Sequence, residues 1–533
     1  MWPIGLFRRK RELPSDTTPV ETTRAARGRL SPAGRAALRM YDGAREDRLT
    51  LDWLSHPKTA DELIARHQRI LVARAREQAS NNDYARAFIR MARQNIVGPK
   101  GVMLQAQSQD ERGRLDVQAN EAIEAAFAQW GSRRHCDVKG RQSWRAIQAG
   151  AVVSAVKDGE FMLRKIYGEA AGPWGFALQV LDPQRCPVHL DDDHPIDAPA
   201  GHFIRAGIEF NALGRPMAYY LAIDQNDRNY DYSHSGRSYR RIPAEEIIHG
   251  FLTEMSGQRR GLPWMATGLF RMKQLLGFET AAVVNARVGA SKMGFLQWRE
   301  GQGPEYSEDE QRDFHMEASP GEFGSLPDGA ELVQWNPQFP SNDFALFNKA
   351  MLRGIAAGFG VLYNNLANDL ENVNFSSIRQ GTLDEREHWK EMQEWLIEEL
   401  IEPVFEAWLP HALLSGRIMV KGRPLKPERL RRYEAVVWQP RRWAWIDPQA
   451  DIEAAITSKN HMLTSPGQII REQGRDPSDV WREFSRDIEE MRAAGIPDEF
   501  IKAAILDKNL QASVMASQQK EPSHDTTDRT DQR

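Results

Sequence analysis

Leu352-Arg353-Gly354-Ile355-Ala356-Ala357-Gly358-Phe359-Gly360-Val361 decides how the middle of this 533-residue chain is read. Its glycines Gly354, Gly358 and Gly360 invite a nucleotide-loop reading, but the dinucleotide fingerprint requires a strand ahead of its glycines. Here they close a helical run that begins near Asn342, so they mark a helix ending. Next, Tyr363 to Ser377 holds five asparagines and no lysine or arginine, the composition of a loop. A long helix follows to Leu409, with a kink expected at Pro403 because proline removes a backbone donor and crowds the preceding turn. Trp389, Met392, Trp395, Leu396, Leu400, Val404 and Trp408 recur on it at helical spacing, a stripe suited to core packing rather than to stacking on bases.

Upstream, apolar positions at helical intervals predict two helices between Thr59 and Val97, a third over 117–130 and a fourth over Ser143–Lys157 with Ser143 as its N-cap. The period then changes to that of strands at Glu160–Tyr167, Phe176–Leu181, Gly207–Phe210 and Met217–Ile223, punctuated by turn residues, which predicts antiparallel pairing. An apolar run at Ile247–Phe251 and the turn Gly257-Gln258-Arg259-Arg260-Gly261-Leu262-Pro263 lead into a helix expected from Trp264 to about Ala290. Glycines, prolines and acidic residues over 294–338 suggest a small separate α/β module. After strand-like 433–438, helices are expected over roughly 448–510, then a polar tail without the apolar content needed for a core. The fold class is therefore α+β, mostly helical.

With 41% hydrophobic and 27% charged residues, the chain can bury sizeable cores, and its length suits two to four structural units. A net charge of −4 lacks the global basic excess that draws proteins tightly onto nucleic acid. Cys136 and Cys186 have no ligand spacing, so neither a disulfide framework nor a zinc site is expected. The apolar stretch Met1–Phe7 precedes the basic run Arg8-Arg9-Lys10-Arg11, inverting the order of a secretory signal, and predicts an arm. No apolar run has the ~18–20 residues of a membrane-spanning helix.

Chemistry is mostly missing from the motifs. No Gly-Lys-Ser/Thr tripeptide is present to cradle phosphates, and HExxH and GxSxG are absent. The densest polar cluster, His189, Asp191, Asp192, Asp193 and His194, is better explained as a solvated turn than as a cation site. His249, at the end of an apolar run, is expected to be a satisfied structural histidine. No catalytic residue, metal or cofactor is assigned.

The order of elements and several local strings resemble the lambda-type tailed-bacteriophage portal family from about Arg74 to about Ala494. These strings are Asn81-Asn82-Asp83-Tyr84-Ala85 leading to Ile96-Val97-Gly98, Asp158-Gly159-Glu160-Phe161, Leu181-Asp182-Pro183, Gly257 to Gly261, and above all Leu352 to Val361. Tyr363-Asn364-Asn365-Leu366 departs from the family's more usual Ser-Tyr-Glu-like start after the glycines.

The resemblance implies a portal fold with wing, stem, clip and crown, closed as a homo-dodecameric ring around a DNA channel at one capsid vertex. It assigns 1–59 to an N-terminal arm, 60–262 to the wing, 263–293 to a stem helix and 294–340 to the clip. A second stem helix at 341–362 then precedes a tunnel loop at 363–377, a wing return at 378–447, a crown at 448–510 and a tail at 511–533. The implied partners are the terminase large subunit, major capsid and scaffold proteins, head–tail connector proteins and double-stranded DNA passing non-specifically. Membrane association is not implied, and the place of action is the virion after assembly in the host cytoplasm.

A conduit that neutralised many phosphates would grip DNA, since each phosphate contact releases counterions and adds affinity. The tunnel loop instead offers Asn364, Asn365, Asn368, Asn372 and Asn374 with the acids Asp369 and Glu371, while the stem supplies only the scattered cations Arg271, Lys273, Arg287 and Lys292. Two other classes stay open on the residues alone. A nuclease would need convergent carboxylates and magnesium-dependent activity, and a shell or head-completion protein would not form a ring with a central hole.

Overall fold

The structure, a computed structural model, describes residues 48, 56–196, 198–223, 238–290, 294–298, 330–334, 343–371, 373–443 and 448–505. Met1–Lys58 forms one unit and Thr59–Arg533 another. The expected arm and tail lie almost wholly outside the described residues.

Thr59 opens helix α1, Ala60–Asn81, by accepting from the Glu62 amide, and the extended Asn82 separates it from α2, Asp83–Ala92. Asn82 caps α2 by accepting from the amides of Tyr84 and Ala85 at 3.0 and 3.1 Å, which fills two of the donors a helix start leaves unpaired. A π-turn over Arg93–Val97 ends this segment at Gly98. Strand β1, Met103–Ala106, precedes α3, Val117–Trp130, and α4, Trp144–Asp158, which Ser143 caps as expected.

Gly159, at φ 87°, stops α4 in the left-handed region and turns the chain straight into β2, Glu160–Tyr167. A three-stranded antiparallel sheet has the order β3 (Phe176–Leu181), β2, β8 (Ile247–Phe251). A second sheet runs β4 (Phe203–Arg205), β5 (Ile208–Phe210), β6 (Pro216–Ala222), β7 (Tyr239–Pro243), all antiparallel. Side chains alternate along β2. Phe161 and Leu163 enter the main core, and Met162 enters a smaller core with Leu181, Ile208, Phe210, Tyr219, Leu221 and Ile242, so the period of two puts one strand between two cores.

Helix α5, Leu269–Ala290, starts later than expected. Residues 264–268 form turns that bury Met265, and Gly268 lies so close to the Phe359 ring that a Cβ would collide with it. Of the module expected over 294–338, the described residues include the antiparallel pair β9 (Gly294–Trp298) and β10 (Ala330–Gln334); the remainder of that module lies outside them.

Helix α6, Asp343–Gly358, is followed by a short α7, Tyr363–Ala367, and by α8, Phe375–Leu396. Where a kink was expected, a π-turn over Ile397–Ile401 joins α8 to α9, Glu402–Leu414, and Pro403 lies in the first turn of α9 directly after it. Trp389, Trp395 and Trp408 are buried in the main core, as the stripe predicted. Strand β11, Val436–Gln439, returns to pair with β1. Four further helices, Pro448–Asn460, Pro466–Glu472, Pro477–Ala493 and Asp498–Ile505, fill the expected C-terminal region.

The polar cluster near 190 and His249 both have local partners. Asp191 accepts from the Ala206 amide, Asp193 pairs with Arg205 and Asp192 bridges to Ile204 in the backbone; the described residues contain no group of His, Cys, Asp and Glu that could hold a metal ion. His249 is buried, with Nε2 3.0 Å from Glu160 and Nδ1 3.3 Å from the Tyr219 hydroxyl.

Candidate functional site

Helices α5 and α6 pack side by side through Phe278, whose ring lies 5.4 Å from Phe344 and 4.8 Å from Phe347. At one end of the pair the Thr267 hydroxyl donates to the Gly358 carbonyl at 2.9 Å, and Phe359 stacks on Phe88 at 4.4 Å. Gly360, at φ 67°, then reverses the chain beside His388. The segment expected to line the channel begins there.

Residues 363–377 are not one loop, which corrects the expectation from composition. The chain makes a helical turn at Tyr363–Ala367, a left-handed stop at Asn368 with φ 53°, and re-enters helix at Phe375. Asparagine suits this segment because it tolerates the left-handed region and its amide caps helix ends. Asn364 Nδ2 donates to the Asp369 carbonyl at 2.7 Å, and the Asn374 side chain accepts from the Ser376 amide. Asn365 Nδ2 donates at 2.6 Å to buried Glu385, which also accepts from Trp389 Nε1 and the Leu362 amide.

Asp369 is the centre of a second knot. It accepts from the Tyr363 hydroxyl at 2.7 Å and the Glu371 amide at 3.0 Å, and lies 3.1 Å from Lys349 Nζ on α6. Those partners, Tyr363 foremost, hold its carboxyl down at about 2, while burial and the hydrogen bond to Asp369 push Tyr363 up to about 12. Lys349 and Arg353 also lie over the Tyr363 ring. Sequence reasoning missed Lys349 and Glu385 because both come from neighbouring helices, and only their helical spacing hinted at a face turned toward the segment.

Of the seven candidate residues, Asn364, Asn365, Asp369 and Asn374 are thus engaged in holding the segment's own fold. Asn368 and Glu371 are exposed beside Leu370. Asn372 lies outside the described residues. Among the stem cations, Arg271 lies over Gly354 of the facing helix, Lys273 pairs with Glu77 of α1 at 3.1 Å, and Arg287 is exposed. Lys292 lies outside the described residues. Among the described residues, 368–371 form a short acidic and amide-bearing tip next to the α5–α6 pair, with Lys349 the cation paired to it.

The model of the family described as phage portal protein, lambda family, matches residues 46–393. The chain belongs to the lambda family of phage portal proteins. It is 34% identical to the probable portal protein of Halomonas phage phiHAP-1 over 472 residues, 87% of this chain and 89% of that one. Portal protein B of Escherichia phage lambda is 21% identical over 91% of this chain and 96% of its own. A solved structure, the neck of an empty GTA particle, resembles 77% of this chain and 94% of its own at 14% identity with a TM-score of 0.41. The family is a structural one, and a portal protein serves at a capsid vertex of the virion; that is the role of this chain, and the α+β portal fold expected from its sequence is the fold described above.

Proposed function

We propose that this portal protein closes into a homo-dodecameric ring at one capsid vertex, and that DNA enters and leaves through its centre without catalysis by the ring. One observation carries the ring. Helices α5 and α6 leave Phe270 73% and Leu346 67% exposed, with Val283 and Val284 also outward. Several large apolar side chains left exposed on one helix pair suit an interaction face, and a head-to-tail interface repeated until it closes generates a ring. In this reading α5 and α6 are the stem, 60–262 and 378–447 the wing, 294–340 the clip outside the capsid, and 448–510 the crown.

The tip around Asn368 and Glu371 then lies along the DNA path, and its lack of a free cation lets the duplex slide. The clip docks the terminase large subunit during packaging and the head–tail connector proteins afterwards, while the wing meets the major capsid and scaffold proteins as the particle assembles in the host cytoplasm. Native mass measurement and negative-stain imaging of the purified full chain test the ring. A closed particle with a central hole is expected; a stable monomer at micromolar concentration across several salt conditions overturns the reading. Loss of terminase binding on replacing 294–340, with rings intact, tests the clip separately.

A further inference from the structure

Arginines at 86, 90 and 93 follow the i, i+4, i+7 spacing that places side chains on one helical face, here the outer face of α2 and the π-turn after it. With Lys157 from α4 they line a concavity of about 860 Å³ between α1, α2, α4 and the end of β3. The acids at its edge are already taken, since Asp158 and Asp182 both bind Arg76, at 2.7 and 2.9 Å. The three arginines are exposed, and neither they nor Lys157 has an ion-pair partner among the described residues. A cluster of unopposed cations is unexpected in a chain of net charge −4.

The same chain carries the complementary surface. Glu391, Glu394, Glu398 and Glu402 follow one another along the solvent side of α8, the π-turn and α9, all exposed, while Met392, Trp395, Leu396 and Leu400 between them are buried. None of these four carboxylates has an ion-pair partner among the described residues. The first and third are seven positions apart, as Arg86 and Arg93 are, so each row covers about 10 Å of helix axis. Two matched rows of opposite charge that leave each other unpaired within one chain suit contact between chains, and like-charge juxtaposition suppresses any other register.

We propose that the acidic row of one subunit seats in the arginine-lined concavity of the next, and so fixes the register of the wing around the ring. The inference rests on the ring reading. It commits to a second copy of this chain because the overall negative charge repels a polyanion and the acidic row supplies a partner of fitting length.

Charge reversal in the full-length chain tests it. The triple variants R86E/R90E/R93E and E391K/E394K/E398K each reduce the ring fraction at low salt tenfold or more, read by native mass measurement, with circular dichroism unchanged. Mixing the two variants restores rings, because each then finds opposite charge on both sides, and carrying both sets in one chain restores them as well. A milder pair removes dependence on the reversed chains folding. Arg90→Cys with Glu394→Cys, treated with a short bismaleimide, gives a covalent ladder of subunits, whereas either cysteine alone gives none; the native Cys136 and Cys186 are buried. Wild-type rings that survive both reversals and yield no ladder overturn this pairing and leave the ring reading standing. Intact rings that lose duplex DNA binding on arginine reversal also overturn it, and assign the concavity to DNA. A monomeric wild type sinks the ring reading itself.

Discussion

Arg260 Nη2 lies 2.5 Å from Glu160 Oε1, with both side chains sealed from solvent. Every other polar atom of the pair is also engaged. Arg260 donates to the carbonyls of Cys186, Ala206 and Pro183, and Glu160 accepts from Gln68, His249 and the Gly261 amide. This ties α1, the three-stranded sheet and the second sheet to the turn that leads into α5. Removing one member of such a pair strands the other charge, at a cost of about 3–5 kcal/mol. Glu160→Gln and Arg260→Leu are each expected to destabilise by that amount in urea unfolding. The double variant should lose about 1 kcal/mol or more less than the sum, since the two residues are directly coupled.

The same knot gives the protein an acid-sensitive stability. Burial alone would raise the Glu160 carboxyl, but Arg260 and His249 overcome it and hold the group at about 2. Its contribution is therefore present above its ordinary value near 4.5 and is lost as pH falls toward 2. His249 is shifted down from 6.5, chiefly by burial and further by Arg260, with Glu160 opposing. The unfolded chain then binds this proton first, so stability falls as pH drops below 6.5. Melting temperature is expected to decline from pH 7 to pH 5, and His249→Gln should remove about one proton's share of that slope. An unchanged slope in the variant would show that His249 does not titrate on unfolding.

Gly159 is irreplaceable for two reasons that add. It sits at φ 87°, and a Cβ there would strike the backbone of Gly261 and Leu262. Backbone cannot swing aside as a side chain can, so Gly159→Ala should cost more than about 2 kcal/mol. Gly113→Ala, at a similar φ of 75° with open space around it, measures the conformational part alone. Equal losses at the two sites would mean that the close approach at Gly159 contributes nothing.

Local signals in the sequence located most elements, because helix caps and strand alternation are short-range. Ser143, Asn82 and Gly159 mark their boundaries by chemistry visible within four residues, and Glu160–Tyr167 shows its period directly. The segment after Gly360 misled for the opposite reason. Five asparagines read as loop composition, yet Asn364, Asn365 and Asn374 use their amides to stabilise helix ends and a buried carboxylate, with partners such as Lys349 and Glu385 brought by other helices. Arg260 and Glu160 were both within strings that marked the family, but their pairing spans a hundred positions, and no local pattern encodes it.

At the tip of that segment, Glu371 is exposed, whereas the neighbouring Asp369 is already opposed by Lys349. Glu371 is therefore the acid best placed to meet a passing duplex if the segment lines the channel, and in a ring every subunit repeats it. Glu371→Lys replaces a circle of repulsion with a circle of phosphate contacts. Each contact releases counterions, so non-specific affinity rises and becomes more dependent on salt. Packaging by the matching motor is expected to slow at low ionic strength and to recover as salt screens the added charge, while ring assembly stays normal because only the Glu371 amide, not its side chain, holds the Asp369 knot. Packaging at the wild-type rate at every salt concentration, from correctly assembled rings, would remove this segment from the DNA path.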